Sequence, residues 1–286
     1  MTWASILALL HGDDGDRGAV AAALAIAKAF DAGVDGLIVR PDPRDAVRLA
    51  VDGMSPAMIE SVIDAARSES QRRVERARAT FEAACREAGV ALTDAGPRGL
   101  AARWHEEVAI AADRVAYHGR LSDLVVVGRS GDRASDESDI AIETVLFETG
   151  SPLLIAAGEG EGLVGGGAMV AWNGRREAAR AVTAALPLLA RAGSVVVVAA
   201  NALDAALPGP EALCGYLARH GIQAEARTVD AGAGPVPKFL LEHAAESGAR
   251  LLVMGAYGHS RLRELVLGGV TRQVLVDAAL PVFMVH

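Results

Sequence analysis

Short apolar runs alternate along this chain with longer stretches in which apolar residues recur at helical spacing. In the first half the runs are 3–10, Leu124–Gly128 and 152–155. In the second, strands are placed near 168–172, Ser194–Ala200, 223–229, 250–255 and 281–285. Runs of four to eight apolar residues bounded by glycine or polar turns predict buried strands. Helical periodicity predicts helices near 176–191, Pro210–Arg219, 235–246 and 270–279. Strands and helices in strict alternation predict a parallel sheet with crossover helices.

The order is written twice. LVVVG at 124–128 matches LLVMG at 251–255, and PLLI at 152–155 matches PVFM at 281–284. Between the copies, GEGEGLVGGG at 158–167 reads as a flexible linker. Two domains are therefore expected, 1–157 and 168–286. The first is longer, with 117 positions from His11 to Gly128 against 82 from Asn173 to Gly255. The excess lies mainly between Pro41 and Gly89. There Ile59, Val62, Ile63, Ala66, Val74, Ala77, Phe81, Ala84 and Ala88 recur largely at helical spacing. A continuous helix over 57–88 would be about 48 Å long, more than one small sheet covers. It either breaks near 68–70 or projects. Core packing is expected for its first half, and a dimer or partner contact for 74–88.

Composition narrows the chemistry. The chain carries a net charge of −8 and only 4% aromatic residues, with no Lys/Arg block. That argues against nucleic acid as a partner. Residues 1–157 hold 25 acidic and 17 basic side chains, whereas 158–286 hold 11 of each, so the acidity belongs to the first copy. Cys85 and Cys214 have neither a CxxC neighbour nor a histidine cluster. They read as small buried or half-buried residues in a reducing cytosol. The apolar start lacks a basic leader and runs into Asp13, Asp14 and Asp16. It reads as a first strand, not a signal or membrane segment. A cytoplasmic location is expected.

The most informative stretch is LLVMGAYGHSRLRELVLGGVT at 251–271. A buried strand ends at Gly255, Gly258 follows, and nine intervening residues lead to Gly268 and Gly269 before an apolar helix. Glycines let backbone approach a ligand, and the unpaired N–H groups of a helix N-terminus receive an anion. The spacing resembles the nucleotide-binding signature of the universal stress protein family, G-x2-G-x9-G followed by Ser or Thr. Gly269 stands where that family usually has the hydroxyl, which removes one phosphate contact and leaves the backbone donors.

The resemblance implies two doubly wound α/β domains, each a five-stranded, mainly parallel sheet of order 3-2-1-4-5. Ligands of such sheets lie beyond the strand ends where neighbouring crossovers leave on opposite faces, here between strands 1 and 4. In the second copy that crevice gathers Ala171, Trp172, Asn173, Ala200, Gly255, Gly258, His259, Gly268, Gly269, Val270 and Thr271. The implied ligand is ATP or a related adenine nucleotide, with or without magnesium. Asn173 stands where the family usually carries Asp and is a poorer magnesium partner. Trp172 either stacks on a base or is a core residue at a strand end. Thr271 either reaches a phosphate or caps its helix. His259, Ser260, Arg261 and Arg263 are loop polarity or phosphate contacts.

In the first copy the GxxG survives as Gly128 and Gly131, but Asp132, Asp136, Glu137 and Asp139 replace the second glycine cluster. Carboxylates there would repel a triphosphate, so this copy reads as degenerate. Asp13, Asp14 and Asp16 are a polar loop and helix start, with a cation site as the alternative reading. No P-loop, Rossmann fingerprint, nucleophile elbow or compact acid–base set is present. Catalysis beyond slow ATP hydrolysis is not expected. The leading function is a nucleotide-binding stress sensor or regulator with an unnamed protein partner. The alternative is a nucleotide-free interaction scaffold. The two last strands are expected to pair within the chain as a pseudo-dimer, a homodimer being the other assembly.

Overall fold

The computed structural model describes residues 3–42, 55–94, 99–129, 136–158, 160–230, 232, 235–256 and 269–286. The N-terminal half runs β1 (Ser5–Leu10), α1 (Gly15–Phe30), β2 (Gly33–Arg40), α2 (Pro56–Ala88), β3 (Ala102–Val108), α3 (Ala111–Gly119), β4 (Leu124–Gly128), α4 (Asp136–Thr144) and β5 (Leu153–Ala156). A π-helical turn, Val145–Thr149, extends α4. The C-terminal half runs β6 (Gly167–Ala171), α5 (Arg176–Leu189), β7 (Ser194–Ala200), α6 (Pro210–Arg219), β8 (Glu225–Val229), α7 (Val236–Glu246), β9 (Ala249–Gly255), α8 (Gly269–Asp277) and β10 (Val282–Val285).

The strands form one ten-stranded sheet, ordered β3-β2-β1-β4-β5-β10-β9-β6-β7-β8. Each half has the doubly wound order 3-2-1-4-5. Pairing inside each half is parallel, as between Leu9 and Val127 or Ala171 and Met254. Central strands are buried on both faces, which is why they read as unbroken Val/Leu/Ile runs. Helices α1, α2, α5 and α6 pack on one face, and α3, α4, α7 and α8 on the other.

The halves meet along an antiparallel seam, with Val282 opposite Ile155, Phe283 opposite Leu154 and Met284 opposite Leu153. All six side chains are buried, each contributing at most about 1.5–3 kcal/mol. Trp3 stacks on Phe283 at 6.1 Å, and the Arg191 guanidinium lies 3.8 Å above the Phe30 ring. The edges are thus covered as an apolar edge requires. Because the seam is antiparallel, the C-terminal ends of β1 and β4 lie on the rim opposite those of β6 and β9.

Two expectations are corrected. Helix α2 is continuous over 33 residues, and its buried residues are Val74, Ala77, Phe81 and Cys85. The second half therefore packs, and the first carries the exposed Met58 with Ile59, Val62 and Ile63 half-buried. The cause is geometric. Strands of about eight residues cover roughly 26 Å, while 33 helical residues span about 50 Å. The end that returns the chain to β3 is the end held on the sheet. There the Phe81 ring takes the space over Gly36, where a Cβ would stand 2.5 Å from it. The segment expected to be a flexible linker is instead a series of turns, with Leu163 buried. Leu163 N–H donates to the Gly160 carbonyl at 3.2 Å, and Gly166 N–H to Gly162 at 3.1 Å. The periodicity of glycine hid the apolar pair Leu163 and Val164, which packs on the core.

Candidate functional site

The crevice of the C-terminal half follows from its crossovers. The chain leaves β6 for α5 on one face and β9 for α8 on the other, so the ends of β6 and β9 part above the sheet. Ala171, half-buried, closes β6 beside Met254. Trp172 is buried, and its indole N–H donates to the Pro208 carbonyl at 2.8 Å. It is a core residue whose polar atom is used, so the stacking reading does not describe it. Asn173 is exposed, and its side-chain oxygen accepts from Arg175 N–H at 3.0 Å, starting the turn into α5. Gly174 follows with φ +71°, where a side chain would also collide with Leu207.

Ala200 ends β7 half-buried, and Asn201 beyond it takes a left-handed conformation at φ 69°, its N–H bonded to the Val229 carbonyl at 2.8 Å. Gly255 is required by packing. A Cβ there would stand 2.5 Å from the Ala178 nitrogen and 2.6 Å from the Glu177 carbonyl carbon, both backbone. Gly128 meets the backbone of Gly15 in the same way in the first half. The strand-end glycine that reads in sequence as room for a ligand is first of all room for the next-face helix. Gly269 and Val270 open α8, and Thr271 is buried in its first turn. Gly258, His259, Gly268, Ser260, Arg261 and Arg263 lie outside the described residues, as does Asp132 of the first copy.

The strand registers superpose the halves, with Leu9 taking the place of Ala171 and Gly128 that of Gly255. His11-Gly12-Asp13-Asp14-Gly15 then occupies the position of Asn173-Gly174-Arg175-Arg176-Glu177. Gly12 and Gly174 share the same positive φ, 75° and 71°. The conformation is kept and the charge inverted, from two aspartates to two arginines. Arg175 and Arg176 are exposed at the start of α5. Sequence reading overlooked them, although the signal was there in NGRRE set against HGDDG. Glu177 beside them is buried and accepts from Arg176 Nε at 2.5 Å. Burial opposes its ionisation, yet Arg176, its own backbone N–H and His286 hold its pKa below the ordinary value.

In the first half, Asp16 turns inward, accepting from His11 N–H and Gly12 N–H at 2.8 Å each. Burial raises its pKa to about 6, against the opposing pull of those two hydrogen bonds. Asp13 accepts from Gly15 N–H at 2.9 Å. These carboxylates serve the turn and the helix start.

The comparisons fit this geometry. Residues 168–286 match the model of the universal stress protein family. That half of the chain belongs to the universal stress protein family. Universal stress protein YxiE of Bacillus subtilis is 40% identical over 69 residues, 24% of this chain and 45% of that protein. Universal stress protein Slr1230 of Synechocystis is 41% identical over 49 residues, 17% of each. The chain thus spans less than half the length of either of these curated relatives. A universal stress protein from Archaeoglobus fulgidus matches 98% of this chain and 95% of its own, with a TM-score of 0.68 at 15% identity. One described as a putative universal stress protein from Pseudomonas aeruginosa covers 99% and 93%, with a TM-score of 0.59 at 15% identity. At such identity these structures establish the fold over the whole length. Among the described residues no helix is long and apolar enough to cross a membrane.

Proposed function

We propose that 168–286 forms a domain that binds ATP or a related adenine nucleotide at the β6–β9 switch point, and that 1–157 is a companion domain that does not. The observation that carries this reading is the inverted charge of the loop after the first strand, set opposite the glycine signature. Arg175 and Arg176 flank the C-terminal crevice, so a polyphosphate meets cations on one side and the α8 N-terminus on the other. Asn173 and Ala200 border base and ribose, and Gly258, His259, Gly268, Gly269, Val270 and Thr271 surround the phosphates. Trp172 shapes this end of the crevice from the core. Asn173 makes magnesium dispensable for binding. The bound state is read by a protein partner in the cytoplasm, making the chain a sensor or regulator and no more than a slow ATPase.

The scaffold reading keeps two supports, Gly269 in place of the hydroxyl and Asn173 in place of the carboxylate. Calorimetry with millimolar ATP, with and without magnesium, decides between them. One site per chain is expected. No heat and no melting shift would overturn the nucleotide reading.

A further inference from the structure

The loop after β1 looks like a ligand loop, yet the backbone of its first two residues, His11 and Gly12, is taken up by the chain itself. Each residue there carries one N–H and one C=O that must be accounted for. His11 N–H and Gly12 N–H both donate to the Asp16 carboxylate. The His11 carbonyl accepts from Arg73 Nε at 2.9 Å, and the Gly12 carbonyl from Arg76 Nε at 3.0 Å. All four groups are engaged by the chain itself. Arg73 and Arg76 are one turn apart on α2, where residues three positions apart share a face. The contact is close as well as polar. A Cβ on Gly12 would stand 2.5 Å from the Arg73 carbonyl oxygen and 2.8 Å from its Cα.

The equivalent loop of the other half differs at each point. Among the described residues, the backbone N–H and C=O groups of Asn173 and Gly174 make no hydrogen bond. What lies over Gly174 is the short connection carrying Leu207 and Pro208, not a helix, and no cation from it touches the loop. The difference tracks the long insertion, since α2 has 33 residues and its counterpart α6 has 10.

We propose that the N-terminal half has exchanged its ligand for a segment of its own chain. The Arg73–Arg76 turn of α2 is the internal occupant of the strand-1 loop, held by two charge-assisted hydrogen bonds on two carbonyls. The same seat fixes the exposed 56–70 arm of α2 at the rim of the first half. This inference goes beyond the nucleotide reading and stands without it.

Hydrogen exchange of the full chain tests the seat, and photolabelling with an azido-ATP tests the closure. In the Arg73→Ala/Arg76→Ala variant, amides of 70–77 should exchange at least tenfold faster than in the wild type, while 81–88 keep their protection. Arg76→Ala alone should give an intermediate effect and serves if the double variant does not fold. Arg73→Lys/Arg76→Lys should restore part of the protection. In the wild type no label should reach the 11–17 peptide. Unchanged exchange in the alanine variants, or label on 11–17 of the wild type, would overturn the proposal. A chain that takes no nucleotide at all leaves the exchange experiment to decide alone.

Discussion

The loops after β1 and β6 have one backbone path and opposite chemistry. Both turn at a glycine of positive φ, both feed a helix packed against a strand-end glycine, and both sit at a topological switch point. One carries Asp13 and Asp14 just after a His11–Gly12 backbone held by the arginines of α2, and the other presents Arg175 and Arg176 to solvent. A doubly wound fold places its crevice by strand order alone. What enters the crevice is settled afterwards by a few side chains and by what the crossover brings with it.

The sharpest break of the shared part of this comparison is Gly255→Val. The new side chain pushes against the Glu177–Ala178 backbone and the Glu177 Cβ, so a loss above about 4 kcal/mol is expected, read as loss of a cooperative thermal transition. A folded Gly255→Val chain would mean that α5 does not seat on β9 as described.

Next comes the charge of the loop. ATP at a hundred times its dissociation constant should stabilise the wild type by about 2.7 kcal/mol. Arg175→Asp/Arg176→Asp, which gives the second loop the charge of the first, should abolish that gain while keeping the transition cooperative. Full stabilisation by ATP in this variant would separate the loop charge from binding.

The third concerns pH. Asp16 ionises near 6 in the folded chain and near its ordinary value of 3.8 unfolded. Between those values the unfolded chain binds fewer protons, so this group lowers stability as pH rises, and the loss is complete above pH 6. The loss is on the order of 2–3 kcal/mol, because a tenfold change in proton affinity is worth about 1.36 kcal/mol. Asp16→Asn should lack this component, so that its melting temperature gains on the wild type from pH 4 to pH 7. Asp35 acts in the opposite sense. Burial disfavours its charge, but hydrogen bonds from His105 and Arg103 outweigh it and lower its pKa. Its contribution is present above its unfolded pKa and fades as pH falls. A parallel pair of profiles for wild type and Asp16→Asn would count against a buried, titrating Asp16.

The smallest effect belongs to the projecting end of α2. Ser55 caps it with a long 3.4 Å contact from Met58 N–H, so Ser55→Ala should cost about 0.5 kcal/mol or less. A larger loss would show that the arm carries weight in the folded body.

Much of the fold was legible because period and burial coincide. LVVVG and LLVMG could be nothing but central parallel strands, and 194–200 was placed to the residue. The pairing of 153–155 with 282–284 was legible as two apolar edges that need cover. The orientation of α2 was not. Its apolar stripe runs its whole length, and only the reach of the sheet decides which part is buried. Leu163 was masked by the glycines around it, and Trp172 by a side chain that suits a core as well as a base. At the site, the glycine spacing drew attention to Gly255 as a ligand glycine, whereas its first neighbour is α5. The arginine pair carried no spacing signature and emerged only when the registers laid one loop over the other.

The seam between β5 and β10 has a further consequence. In a two-fold pair of identical chains every substitution appears on both sides of the interface and at both crevices at once. Here Leu153, Leu154 and Ile155 face Val282, Phe283 and Met284, so each side is encoded separately. A change that suits one crevice leaves the other untouched. Joining two such units in one polypeptide therefore frees them from symmetry, and a long helix can cover one loop where a short connection meets the other.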